Sequence, residues 1–143
     1  MIPLHEMQKV DIFKPLSEEM IEKLAALVDV TTAEKGDYLF HDGDVAESFY
    51  ILKEGKVTLE FHQPDGSINT EIVNPGMGVG CPSLAGLPRY TGHARCETAS
   101  RFLRWPQSGL QELFNEDNRL GYLLVKASSK MLSKRIAGKF HHR

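Results

Sequence analysis

Cysteine is scarce in this sequence, and the marks of a secreted or membrane-spanning chain are missing. The chain contains only two cysteines, Cys81 and Cys96. They are too few for an iron–sulfur cluster and, without a secretion signal, they predict two free thiols. No apolar run approaches the roughly 20 residues that cross a bilayer, and the N-terminus lacks a signal-peptide pattern. We therefore expect a cytoplasmic protein without a membrane partner.

Charge of one sign is not in strong excess either. The formal net charge is -2 over 143 residues, so the composition gives no basic footprint for direct nucleic-acid binding. Hydrophobic residues make up 41% and charged residues 25%, as in ordinary soluble globular proteins. The length predicts one domain over residues 1–143, with a helical segment at 1–28, a β-rich segment at 29–106 and helices at 107–138.

The N-terminal segment is predicted to hold an amphipathic helix that begins after Ser17. Serine is a good N-cap, and the acidic side chains of Glu18 and Glu19 suit the positive end of a helix dipole. Apolar residues then recur at three- and four-residue spacing, at Met20, Ile21, Leu24, Leu27 and Val28.

The middle segment has the pattern of many short strands. Val57, Leu59 and Phe61 alternate with polar residues in the period of two that a half-buried strand requires. Turn signals recur about every eight to twelve residues, at 35–37, 42–44, 54–55, 64–66 and 74–76. This spacing favours a sandwich, a jelly roll or a barrel.

The C-terminal segment returns to helical spacing. We expect a short helix over Gln107–Phe114, capping residues over Asn115–Asn118, and a longer helix over Arg119–Ala137 with Gly138 as its stop. The longer helix carries one stripe with the spacing of a coiled-coil seam, at Leu120, Leu124, Ala127 and Met131, and a second at Val125, Leu132 and Ile136. Such a helix can pack one side on its own chain and the other on a partner helix, or pack wholly on its own barrel.

The order of these segments resembles the cyclic-nucleotide-binding domains of Crp/Fnr regulators, protein kinase A regulatory subunits and gated channels. The resemblance is carried by Lys35–Asp44, Phe49–Val57 and Val73–Gly76, and it spans about residues 12–135. It implies a mainly β fold with flanking helices, a double-stranded β-helix or jelly roll with an N-terminal helix and a long C-terminal helix. It also implies that the C-terminal helix forms a homodimer and moves when ligand binds.

The family binds its ligand through a phosphate-binding cassette between two strands of the roll. The cassette usually reads Phe-Gly-Glu-x-Ala/Ser-Leu, followed after several residues by Pro-Arg-x-Ala-Thr-Val. The corresponding stretch here is Val79–Ala94. The resemblance implies that the ligand-binding residues are Gly80, Cys81, Pro82, Ser83, Leu84, Arg89, Tyr90 and Thr91.

Two positions depart from the family's cassette. Cys81 stands where the family has the glutamate that binds the ribose, and losing that charge-assisted hydrogen bond is worth roughly 1.5–3 kcal/mol. The arginine is in an ambiguous register. Pro88-Arg89 reads like the family's Pro-Arg, but one residue early in the count. We favour the alignment that matches them, in which an insertion after Arg89 restores the register. An uninterrupted count instead places Tyr90 at the arginine position and Thr91 at the small hydroxyl position.

These features support a non-catalytic regulatory sensor that binds a cyclic nucleotide or a similar small anion in the loop at 80–91 and signals through the C-terminal helix. Cyclic AMP or cyclic GMP is then the effector, and no cofactor is required. The alternative is a degenerate domain that has lost its ligand and serves protein interaction or dimerisation. A cupin-type metalloenzyme is the third hypothesis, although none of the six histidines forms the His-x-His pair it would need. We expect no DNA-reading domain, since only Lys139–Arg143 follow the last predicted helix.

Overall fold

The structure is a computed structural model that describes residues 2–141, with the side chains of the last helix described as far as Lys134. The chain divides into two compact units. One is β-rich and runs from Leu27 to Gln111. The other combines the residues up to Ala26 with those from Glu112 onward.

The N-terminal part of the second unit consists of three short helical elements. They are helix α1 (Leu4–Gln8), a 3-10 turn (Asp11–Phe13) and helix α2 (Glu18–Ala25). The Ser17 hydroxyl accepts a hydrogen bond from the Met20 amide at 3.2 Å, which confirms the predicted N-cap. The apolar stripe of α2 buries Ile21 and Leu24, as its spacing predicts. The helix ends at Ala25, so the predicted continuation of the stripe through Leu27 and Val28 is wrong.

The β-rich unit contains eight strands in two antiparallel four-stranded sheets. The strands are β1 (Asp29–Ala33), β2 (Tyr38–Phe40), β3 (Ser48–Glu54), β4 (Val57–His62), β5 (Ile68–Val73), β6 (Gly78–Val79), β7 (His93–Cys96) and β8 (Ser100–Pro106). The sheet orders are β1-β8-β3-β6 and β2-β7-β4-β5. Strands distant in sequence are neighbours in both sheets, which confirms the predicted jelly roll.

The core of the roll follows from the alternation along its strands. Val57 and Leu59 on β4 belong to the buried apolar cluster of the roll, and Glu60 on the same strand is partly exposed. Thr58 is buried as well, with its hydroxyl donating to the Glu97 carboxylate at 2.6 Å. The same alternation buries Ala94 and Cys96 on β7. Cys81 and Cys96 are not joined in a disulfide, as the sequence predicts. Burial raises the pKa of the Cys96 thiol, against a hydrogen bond with Ser100 that lowers it, so this thiol is a core group.

The tight turns of the roll depend on glycine, most clearly at Gly55 between β3 and β4. Its φ is +108°, a conformation that side-chain-bearing residues rarely adopt. A Cβ atom there would also overlap the Ser100 side chain and approach the Ala99 carbonyl oxygen to 2.8 Å. Glycine is therefore required at this turn for both backbone and steric reasons.

Helix α3 (Cys81–Leu84) lies between β6 and β7, and two further helices follow the roll. They are α4 (Gln107–Glu116) and α5 (Asn118–His141). The predicted stop at Gly138 is wrong, because α5 continues to His141. A glycine inside a helix costs only about 1 kcal/mol relative to alanine, and the residues that follow it are compatible with a helix.

Asp117 caps the start of α5 within the second unit. Its carboxylate accepts from the Leu120 amide at 3.0 Å and from the Lys23 ammonium of α2, also at 3.0 Å. The Leu120 hydrogen bond, with help from Lys23, lowers the pKa of Asp117. The start of α5 is thereby fixed to α2, and α5 also packs against the 3-10 turn.

No helix in the described residues is both long enough and apolar enough to cross a bilayer.

Candidate functional site

The cassette stretch begins with a left-handed turn and a single turn of helix. Gly80 follows β6 with a φ of +84°, and a Cβ there would lie 3.0 Å from the Ser48 carbonyl oxygen and 3.2 Å from the Tyr90 ring. Helix α3 follows at once, with Pro82 in its first turn, where the missing proline N–H costs no helical hydrogen bond. Gly80 therefore allows the chain to pass close to β3 before α3 turns away.

Two glutamine amides on α4 hold the cassette in place. The Gln107 amide donates to the Leu87 carbonyl at 2.8 Å, and the Gln111 amide donates to the Leu84 carbonyl at 3.2 Å. The two glutamines are four residues apart, so they lie on the same face of the helix. Neither glutamine was predicted from the sequence to contact the cassette. Their four-residue spacing on a predicted helix was the one signal available.

The returning segment of the cassette pairs with the loop before β3. The Ala46 amide donates to the Pro88 carbonyl at 3.0 Å, and the Tyr90 amide donates to the Asp44 carbonyl at 2.9 Å. Arg89 lies between these bonds, on the exposed side, and its Nη1 donates to the Gly43 carbonyl at 3.1 Å. The guanidinium of Arg89 is thus engaged at the outside of the roll.

Tyr90 has the opposite orientation and is part of the core of the roll. Only 4% of its surface is exposed, and its ring stacks on Phe40 with centroids 3.6 Å apart and planes inclined by 9°. Its hydroxyl donates to the Ser48 carbonyl at 2.5 Å and accepts from the Ser48 amide at 3.0 Å. Burial raises the pKa of Tyr90 to about 12, although the hydrogen bond with Ser48 opposes the rise. Tyr90 is therefore neutral at physiological pH.

The structure places Tyr90 inside the roll and Arg89 outside it. Adjacent residues in an extended segment face opposite sides, so only one of Arg89 and Tyr90 can enter the roll. An unpaired guanidinium in an apolar interior is costly, whereas an aromatic ring with a satisfied hydroxyl is stable there. The position inside the roll consequently belongs to Tyr90.

The other cassette residues divide between interior and surface. Ser83 and Leu84 are buried, Cys81 and Pro82 are half-buried, and Thr91 is exposed. The Ser83 hydroxyl is fully buried and, within the described residues, has no hydrogen-bond partner. No carboxylate stands at the Cys81 position, so the cassette has neither of the family's two charged contacts in its interior.

The predicted seam on α5 is only partly accessible. Leu120 and Leu124 are fully buried in the chain itself, whereas Ala127 and Met131 are half-buried. Two of the four seam residues are therefore already covered without a partner. The side chain of Ile136, in the second stripe, lies outside the described residues.

The histidines of the roll lie on its outer surface. The Nδ1 atoms of His41 and His93 are 3.2 Å apart, at hydrogen-bond distance. Within the part of the chain that the structure describes, no group of three or more histidine, cysteine, aspartate or glutamate side chains could hold a metal ion. The described residues thus supply no ligand set for the metalloenzyme hypothesis.

Comparison with known proteins connects this fold to one family. A model of the cyclic nucleotide-binding domain matches residues 30–117, more than half of the chain. A cGMP-dependent protein kinase of Drosophila melanogaster, isozyme 2, is 30% identical over 95 residues, which is 65% of this chain and 10% of the kinase. The chain therefore spans only about a tenth of the length of that relative.

Solved structures agree with this assignment. The N-terminal domain of a Streptomyces coelicolor transcriptional regulator is 28% identical, with a TM-score of 0.72 and coverage of 94% of this chain and 95% of that one. A cyclic nucleotide-binding domain from Methylobacillus flagellatus shares the fold at 17% identity, with a TM-score of 0.82 and coverage of 97% and 81%. Sequence, fold and cassette position agree, and the chain belongs to the cyclic nucleotide-binding domain family.

Proposed function

We propose that this chain is a non-catalytic regulatory module that acts through protein contacts and does not bind a cyclic nucleotide in the manner usual for the family. The observation that carries this proposal is the burial of Tyr90. Its ring fills the interior of the roll against Phe40, and both hydrogen-bonding capacities of its hydroxyl are used by Ser48.

The energetic argument concerns the anionic phosphate of a cyclic nucleotide. A buried guanidinium would supply charge-assisted hydrogen bonds to it, but Tyr90 is neutral and Arg89 is held outside at Gly43. Each charge-assisted contact contributes roughly 1.5–3 kcal/mol. Losing the contacts of the arginine and of the glutamate replaced by Cys81 would weaken binding by about two to four orders of magnitude.

A small anionic effector in the loop at 80–91 is a second candidate function, and Ser83 favours it. A buried hydroxyl without a partner is unusual, and this one lies in the cassette. Under this alternative, cyclic AMP or cyclic GMP would be replaced by a smaller anion, and α5 would transmit the signal. We keep the cytoplasmic location, the single-domain organisation over residues 1–143 and the lack of a required cofactor as predictions common to both functions.

Thermal denaturation with and without ligand separates the two functions. A ligand at 100 times its Kd adds about 2.7 kcal/mol to stability, which is readily seen as a shift in Tm. We expect no shift with cyclic AMP or cyclic GMP. A shift with a smaller anion that disappears in Ser83→Ala would favour the second function, and a shift of several degrees with either nucleotide would contradict the first.

A further inference from the structure

One face of α5 is exposed and carries an apolar stripe of its own. Tyr122 is 61% exposed and Leu132 is 37% exposed, and Val125, between them in sequence, is half-buried. Positions 122, 125, 129 and 132 follow the three-four-three spacing of a helical seam, with Ser129 as the polar member. This exposed stripe, unlike Leu120 and Leu124, is accessible to a partner.

The charge on α5 is of one sign. Asp117, which precedes the helix, is the last acidic residue of the chain. The helix carries only cationic charged side chains, at Arg119, Lys126, Lys130, Lys134, Arg135 and Lys139. The whole chain has a net charge of -2, and because α5 carries cations and no acidic residue, the remainder of the chain is acidic.

The cations flank the exposed stripe at regular intervals. The Lys126 ammonium lies 5.3 Å from the centroid of the Tyr122 ring, close enough for a cation–π contact. Lys126, Lys130 and Lys134 are all exposed and follow one another at four-residue steps. Each step is about 6 Å along a helix and turns by about 40°, so Lys126 and Lys130 lie beside Tyr122 and Ser129, whereas Lys134 lies on the other side of the helix from Leu132.

We infer that this face of α5, defined by Tyr122, Lys126, Lys130 and Leu132, binds an acidic amphipathic helix of a partner protein. Carboxylates at four-residue steps on such a helix match the two lysines, and its apolar stripe would cover Tyr122 and Leu132. A second copy of this chain is a poor occupant, because pairing α5 with α5 brings like charges together. The inference rests on the proposed role as an interaction module and names the chemistry of the partner.

Binding of a designed peptide tests the inference. The probe is a fluorescently labelled helical peptide with leucine at its a and d positions and glutamate beside them, and the control peptide has lysine in place of every glutamate. Fluorescence anisotropy with the intact chain should show saturable binding of the acidic peptide only. The Lys126→Glu/Lys130→Glu variant should weaken that binding by about tenfold or more, as should Tyr122→Ala.

A matched variant controls for net charge. Lys35→Glu/Lys56→Glu makes the same change at two exposed lysines of the roll and should leave the affinity within about twofold.

The inference is overturned if both peptides bind equally, if neither binds, or if the roll variant weakens binding as much as the α5 variant. It is also overturned if light scattering shows a dimer that Leu132→Glu dissociates, or if the face binds double-stranded DNA in preference to the acidic peptide. Nucleotide binding by the roll would refute the proposed function while leaving these peptide results interpretable.

Discussion

The hydroxyl of Tyr90 makes two hydrogen bonds to one residue, donating to the carbonyl of Ser48 and accepting from its amide. These bonds tie the end of the cassette to the start of β3, inside the roll. The space beside Phe40 is thereby filled by a side chain of the protein itself, and Arg89, which our preferred alignment makes the ligand-binding arginine, lies outside the roll.

Removing this hydroxyl should destabilise the roll. Tyr90→Phe keeps the ring on Phe40 but leaves the buried Ser48 amide without its acceptor, so we expect a loss of about 1–3 kcal/mol in the free energy of unfolding. Urea denaturation followed by circular dichroism measures it. Tyr38→Phe is the control, because Tyr38 is 42% exposed and its hydroxyl makes only a 3.4 Å contact with Glu60. Equal stability of the Tyr90→Phe variant and the unchanged protein would contradict the assigned contacts.

The stability of the protein should also fall at alkaline pH because of Tyr90. Its pKa is raised from 10.0 to about 12 in the folded state, so the stability that the neutral hydroxyl contributes is fully present below pH 10. It is lost as the pH rises through about 12, because the unfolded state ionises first. The loss approaches about 2–3 kcal/mol. Unfolding free energies measured between pH 9 and 12 should decline less steeply in Tyr90→Phe, and parallel curves would refute the burial of this hydroxyl.

Two glycines offer a matched test of the turns. Gly55 and Gly66 both have positive φ, but a Cβ at Gly66 meets nothing within 4 Å, whereas one at Gly55 would overlap Ser100. Gly66→Ala should therefore cost only the strain of the left-handed backbone, about 1–2 kcal/mol, and Gly55→Ala should cost clearly more. Tm values of the two variants provide the measurement, and equal losses would show that the steric contact with Ser100 has no effect.

Two leucines of α5 that differ in burial should respond differently to truncation. Leu124 is 1% exposed and Leu132 is 37% exposed, so Leu124→Ala should lose about 2–5 kcal/mol of stability and Leu132→Ala less than about 1 kcal/mol. Denaturation with parallel size-exclusion chromatography reports both stability and mass. A folded, stable Leu124→Ala variant that changes from dimer to monomer would instead support the homodimer seam that the sequence predicts at Leu120, Leu124, Ala127 and Met131.

Local patterns in the sequence predict most of the fold. The Ser17 cap, the burial of Val57 and Leu59 and the turn at Gly55 each depend on a few neighbouring residues, and the structure confirms them. The orientation of Tyr90 depends instead on pairing with Asp44 and on the space beside Phe40. Those residues are distant in sequence, so the register of the cassette could not be decided from local pattern alone.

The helix α5 shows the same limit. Its two apolar stripes are readable from spacing, but spacing cannot say which of them the chain covers. Leu120 and Leu124 of the first stripe are buried while Leu132 of the second is exposed, and this choice is fixed by tertiary packing. The seam was predicted from the regular spacing of its apolar residues. Regular spacing does not distinguish a stripe packed in the core from a stripe at an interface.

Isothermal titration of the intact chain with cyclic AMP and with cyclic GMP is the most direct test of the central claim, that Tyr90 occupies the place of the ligand-binding arginine. With folding verified by circular dichroism, we predict no saturable heat with either nucleotide at concentrations up to about 1 mM, since the lost charged contacts correspond to several kcal/mol. Saturable one-to-one binding with a Kd of about 10 µM or tighter would contradict the account.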